Sequence, residues 1–126
     1  MLHRITAIIL GIIVGLLAIA GFFVEGSHLL GIMNVDLPLD ILRAILAIAL
    51  LIVGIARVSL VATRTVLLIV GILYVLMGLG AFGDRTLFGM LPTGLTGFDI
   101  GFHLVVGVAA IVIAAIRERP VQTVQV

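Results

Sequence analysis

Cysteine is absent from the chain, so disulfides, thiolate metal sites and thiol catalysis are excluded, and cysteine usage leaves the redox compartment open. Lysine is absent too: all seven basic residues are arginines, and against six acids they give a net charge of +1. Such a balance provides no basic surface for nucleic acid. Charge of either sign is scarce, at 10% of 126 residues, whereas 63% are hydrophobic and mean hydropathy is +1.50. These values lie far from those of a water-soluble domain and exclude a soluble enzyme. There are only three prolines, Pro38, Pro92 and Pro120, and none lies at the centre of an apolar run.

What the sequence does contain is long apolar runs. At about 20 residues per crossing, four spans use roughly 80 residues and leave short connections, with no room for a second domain. The first run, Ile5 to Val24, is free of charge. The second is clean only from Ala44 to Ala56, and it spans if its helix begins near Leu37 and tolerates Arg43. The third extends from Thr65 to Gly83 and the fourth from Ile100 to Ile116, with His103 one turn inside. No period-two alternation marks strands, and a barrel of so few strands would not close. The expectation is one all-α membrane domain over residues 1–126, with transmembrane helices near 5–24, 38–56, 65–82 and 99–116. Arg4, an apolar stretch and Ala18-Ile19-Ala20 imitate a signal peptide. The run continues through Gly21-Phe22-Phe23-Val24, and its removal would leave three spans, so a retained helix is the better reading.

Orientation follows from the arginines. Arg4, Arg57, Arg64, Arg117 and Arg119 fall on one side of the spans, with Glu118 as the single acid. The other side holds Glu25, Asp36, Asp40, Asp84 and Asp99 with only Arg43 and Arg85, a balance of about −3. Both termini are therefore expected in the cytoplasm, with the protein in the cell membrane. The halves also resemble each other. Leu30-Gly31-Ile32-Met33 matches Phe88-Gly89-Met90-Leu91 at an offset of 58, and Asp40-Ile41 matches Asp99-Ile100 at 59. Each half reads as a helix, an outer loop with a short apolar stretch, an aspartate and a returning helix. Two such tandem repeats would be related by an approximate twofold axis along the membrane normal. The apolar stretches Leu29 to Met33 and Leu87 to Leu91 are expected to fold back over the bundle as short caps.

Leu29-Leu30-Gly31-Ile32-Met33-Asn34-Val35 and Leu87-Phe88-Gly89-Met90-Leu91-Pro92 each lead into a helix, and the last helix carries Phe102-His103-Leu104-Val105-Val106-Gly107. In these motifs the chain resembles the small four-helix bacterial membrane proteins of domain of unknown function family 4383, over nearly its whole length. That family carries a histidine near the start of both the second and the fourth helix. His103 matches the latter, while Arg43 and Ala44 stand at the other place. The resemblance implies architecture and occurrence in actinobacteria; the family has no established activity, so no mechanism comes with it.

Small residues indicate where helices meet. Ala7, Gly11 and Gly15 form a stripe on the first helix, Gly71 and Gly78 lie two turns apart on the third, and Gly107 with Ala110 and Ala114 gives the fourth a small face. They are read as seams within the bundle, with a homo-oligomer contact through Gly11 and Gly15 as the alternative. Gly78-Leu79-Gly80-Ala81-Phe82-Gly83 fits the dinucleotide pattern, but it ends a membrane helix instead of joining a strand to one, and it is dismissed.

One constellation could carry chemistry. Asp40 and Arg43 are three residues apart and Asp99 and His103 four, so each pair shares a helix face near the outer end of its span. In the bland reading the aspartates cap helix N-termini, Arg43 snorkels outward and His103 bonds a neighbour. In the other, the four residues line a polar pocket for a headgroup, an anion or a proton. Paired carboxylates inside a span, a metal motif and a nucleophile with an adjacent base are all lacking, so neither an enzyme nor a cofactor is expected. The expected function is a structural or accessory membrane component, with the lipid bilayer and a homo-oligomer or membrane-protein partner as its contacts. The rival is a small oligomeric transport or permeation unit using the outer cluster. A cytoplasm-active reporter fused after Val126 or inserted between Val58 and Ala62 should be active, and one near Gly31 silent; activity at Gly31 would sink this topology.

Overall fold

The computed structural model describes residues 2–23, 33–34, 36–56, 58–91 and 94–116. Glu25, Leu29 to Ile32, Val35, Arg57, Pro92 and the segment from Arg117 to Val126 lie outside the described residues. So do the expectations that rest on them, including most of the first apolar loop stretch and part of the arginine pattern. The architecture is all-helical, with α1 at Leu2–Phe23, α2 at Leu37–Ile55, α3 at Leu60–Gly83 and α4 at Gly97–Ala115. All four are long and apolar enough to cross a membrane. Helices of 19 to 24 residues are about 29 to 36 Å long, close to a hydrocarbon core of about 30 Å.

Each helix is apolar on both faces. α1 buries His3, Ala7, Gly11, Val14, Ala18 and Gly21, an alternation of three- and four-residue steps that keeps one seam turned inward. Its opposite face exposes Ile5, Ile9, Ile12, Leu16 and Ile19. A helix apolar all round suits lipid or the interior of a large protein.

The start of α2 removes the difficulty posed by Arg43. Asp36 occupies the N-cap position and Pro38 lies in the first turn, where its missing N–H costs nothing. The helix thus gains its length before Arg43. α3 begins five residues earlier than the apolar run suggested, because Ser59 caps it by accepting from the Ala62 N–H. Arg64 therefore lies within a helix and not in the connection.

The chain packs as two antiparallel hairpins, α1 with α2 and α3 with α4, with α1 also approaching α3 and α4 and α2 approaching α3. Among the described residues the backbones of α2 and α4 do not approach. Glycine sets the closeness within each hairpin. A Cβ on Gly71 would lie 2.8 Å from the Gly107 carbonyl oxygen, and one on Gly107 would lie 2.8 Å from that of Gly71. In the first hairpin Gly11 faces Leu51 and Leu50, whereas a Cβ on Gly15 would meet only Ala47 at an ordinary 3.5 Å. The stripe of Ala7, Gly11 and Gly15 is thus turned toward α2 of the same chain.

Arginines tie the hairpins at one end. Arg4 donates from Nε and Nη2 to the Gly54 carbonyl at 3.2 and 3.1 Å, and Arg64 donates from Nε to the Ala114 carbonyl at 2.8 Å. Each guanidinium satisfies a last-turn carbonyl that its own helix leaves orphaned, and meets the negative end of that helix dipole. The two contacts are 60 residues apart in sequence. The same offset relates the two links that join one hairpin to the other. His3 Nε2 meets the Ile113 carbonyl at 2.7 Å, so Nε2 carries the proton, and Thr63 shares its hydroxyl hydrogen between the Val53 and Ser59 carbonyls at 3.4 and 3.2 Å.

At the other end, the stretch from Leu87 to Leu91 forms turns, not a helix. Leu91 is buried, and Leu87 packs with it against the cluster of Leu39, Ala81, Leu95 and Ile100. Phe88 and Met90 point out, 92% and 58% exposed, so only half of this stretch folds back. Leu87, Phe88 and Gly89 all have positive φ, which suits Gly89 alone. Asp84 holds the loop by accepting from the Thr86 hydroxyl and N–H at 2.6 and 3.0 Å and from the Phe88 N–H at 2.9 Å. These bonds, the Thr86 hydroxyl above all, keep its carboxyl below the usual carboxylate range.

Substitution of Gly107 or Gly71 by alanine should destabilise the protein by about 1 to 3 kcal/mol, because the clash is with backbone. Gly15→Ala should be close to neutral. Thermal unfolding of the three variants in detergent checks this order.

Candidate functional site

The candidate site lies where α2 and α4 begin. Arg43, on the second turn of α2, is 2% exposed and does not snorkel. Its Nη1 donates to Asp40 Oδ1 at 3.0 Å and to the Asn34 carbonyl at 2.8 Å. A buried guanidinium is costly unless paired and hydrogen-bonded, and an i,i+3 carboxylate is the nearest remedy. Room for that carboxylate comes from α1. Gly21 lies directly against the Asp40 side chain, and a Cβ there would collide with both of its oxygens.

Asn34 carries the connection onward to α4. Its backbone N–H donates to Asp99 Oδ2 at 2.7 Å. Its side chain donates to the Gly94 carbonyl at 2.7 Å and to Asp36 Oδ2 at 2.9 Å, and its own Oδ1 accepts from the Asp36 N–H at 2.9 Å. One fully buried residue therefore joins both loops and both helices. Asp99 is the N3 residue of a capping box with Thr96, whose N–H and hydroxyl donate to Asp99 Oδ2 at 3.0 and 3.1 Å while the Asp99 N–H donates to the Thr96 hydroxyl oxygen at 3.1 Å. His103 donates from Nδ1 to the Asp99 carbonyl at 2.6 Å, not to its carboxylate. The imidazole then stacks at a tilt on Tyr74 of α3, ring centroids 4.8 Å apart.

The structure places all four sequence candidates, Asp40, Arg43, Asp99 and His103, buried in the first turns of α2 and α4. It unites them indirectly. Arg43 pairs with Asp40 and reaches Asp99 only through the Asn34 peptide groups. Asp99 serves at a helix N-terminus, as the bland reading held, but at α2 the N-cap position belongs to Asp36 and not to Asp40. Among the described residues, Arg43 Nη2 and Asp99 Oδ1 belong to the buried polar atoms that find no partner. A spare donor and a spare acceptor in one network can hold a water molecule or relay a proton.

Sequence reasoning missed Asn34, Asp36, Thr96, Gly21 and Tyr74. Thr96-x-x-Asp99 is a recognisable capping-box signature, and Asn34-x-Asp36 is a polar pair inside an apolar loop. The seat of Asp40 on Gly21 has no local signal, since the two residues belong to different helices. Among the described residues no cluster of histidine and acid side chains could hold a metal ion.

The fold and site define an all-helical chain with four candidate membrane spans and a buried polar lock at one end. Compared with protein-family models, curated protein sequences and solved structures, the chain matches none.

In double-mutant cycles read as detergent stability, Arg43→Leu with Asp40→Asn should couple by about 1 kcal/mol or more, and Arg43→Leu with Asp99→Asn by about 0.5 kcal/mol or more through Asn34. Additivity in both cycles would contradict the network.

Proposed function

We propose that this chain is a multi-pass protein of the cell membrane, built as two tandem helix-loop-helix repeats with both termini cytoplasmic, and acting as a structural or accessory component without catalytic activity. The observation that carries the reading is the filling of the interior. Between the polar groups at the two ends, Val14, Leu46, Leu50, Leu67, Val70 and Tyr74 pack into one buried cluster, and glycine seams bring backbones into contact. The polar side chains at both ends bind one another or backbone carbonyls instead of facing a shared channel. The recurrence of the Arg4 and Arg64 contacts at a common offset supports the repeat, as does the match between the outer loops. The resemblance of the loop and helix motifs to domain of unknown function family 4383 implies the same architecture. The surrounding bilayer is the first partner, and a homo-oligomer or another membrane protein would use the outward faces, since the glycine stripes are occupied within the chain.

The rival reading, a small oligomeric permeation unit, draws on Arg43 Nη2 and Asp99 Oδ1, a buried donor and a buried acceptor with no partner among the described residues. Purified protein reconstituted into liposomes separates the two. Proton and anion flux should equal that of empty liposomes, for the wild type and for Asp99→Asn alike. Flux above background that Asp99→Asn abolishes would overturn the structural reading in favour of the rival.

A further inference from the structure

Arg64 and Arg4 make the same kind of contact in the two hairpins but do not spend the same donors. Arg4 uses Nε and Nη2 on the Gly54 carbonyl, and the seam beside it is closed by Ile8, whose Cγ1 would lie 2.5 Å from a Cβ on Gly54. Among the described residues Arg64 uses only Nε, on the Ala114 carbonyl. Its two terminal nitrogens are left as a parallel pair of donors, and the seam beside it is open. A groove of about 310 Å³ runs there between α3 and α4, lined by Val61, Arg64, Thr65, Leu68, Ile111 and Ala115.

We infer that this groove is a binding site for one anionic phospholipid, its phosphate on the terminal nitrogens of Arg64 and an acyl chain along Leu68 and Ile111. The inference rests on the proposed membrane setting. Charge and depth argue for it together. Arg64 is the fifth residue of α3, so it lies about 6 Å along the helix from its start, at headgroup level, and Leu68 lies one turn deeper. A guanidinium with two free parallel donors matches the geometry of a phosphate. This is also the arginine-rich end of the chain: Arg57 precedes α3 by three residues, and Arg117 and Arg119 follow α4 within four. An anionic lipid is favoured beside such a cluster over a zwitterionic one.

Native mass spectrometry of the full chain, titrated with phosphatidylglycerol or with phosphatidylcholine, tests the site. Phosphatidylglycerol should be retained in preference, and Arg64→Gln should weaken its retention about fivefold, the attraction of one arginine to an anionic surface. Arg4→Gln is the control, with the matching helix contact but a closed seam, and should retain the lipid. Because Arg64→Gln also removes the bond to Ala114, Ala115→Phe provides a second test: it fills the groove, keeps that bond and should lower retention too. Retention unchanged by Arg64→Gln and Ala115→Phe, or lowered equally by Arg4→Gln, would overturn the site as mere charge attraction. Carbonate extraction of the same variants from membranes reports separately on insertion. Protein that resists extraction but fails the lipid test leaves the membrane reading standing without this site, and protein released by carbonate refutes the membrane reading itself.

Discussion

A guanidinium shut inside apolar surroundings must be neutralised by groups brought to it, and Arg43 imposes that requirement on everything near it. Asp40 supplies the charge from the same helix, the Asn34 carbonyl supplies a second acceptor from the preceding loop, and Gly21 leaves the space that Asp40 fills. Removing one partner of such a buried pair typically costs about 3 to 5 kcal/mol, because the other charge stays behind unpaired. The end of α1 and the starts of α2 and α4 are thus set by one side chain that composition alone would place elsewhere.

The two ends of the bundle solve the same problem by different means. At the Arg43 end, loop residues converge on a buried ion pair and a capping box. At the opposite end the ties run to backbone carbonyls: Arg4, Arg64, His3 and Thr63 each donate to a carbonyl in the last turns of a neighbouring helix. Last-turn carbonyls lie beyond the regular bonding of their helix and, away from water, would be costly to leave bare. Between the ends, cohesion comes from glycine-mediated contact within each hairpin and apolar packing between hairpins. Tight backbone contact inside each hairpin and polar ties between the hairpins together hold the four helices as one bundle.

Helix number and approximate bounds were legible in the sequence because uninterrupted apolar runs have no competing explanation in a chain this poor in charge. The inward faces were partly legible, as with Gly11, Gly71 and Gly107, whose spacing places them on single stripes. The start of α3 was not, because Ser59 and Arg64 look like connection residues until a neighbouring carbonyl is there to receive the arginine. The role of Asn34 was hidden for a related reason. Its main contribution is made by backbone groups, which every residue possesses, and only the approach of Arg43 from one side and Asp99 from the other makes them special. The cap expected from Leu87 to Leu91 was half right, since hydrophobicity calls for burial but a turn with consecutive positive φ can turn only some of its side chains inward.

The central claim is that Asn34 joins the two halves through its peptide groups, with Arg43 on its carbonyl and Asp99 on its N–H. Hydrogen exchange of the Asn34 amide in a membrane mimetic tests it most directly, because a loop amide is ordinarily among the first to exchange. The account predicts protection comparable to that of the helix interiors, lost in Asp99→Asn and reduced in Arg43→Leu while the amides at the centre of α3 stay protected. Rapid exchange at Asn34 in the unaltered protein, or protection indifferent to both substitutions, would contradict it.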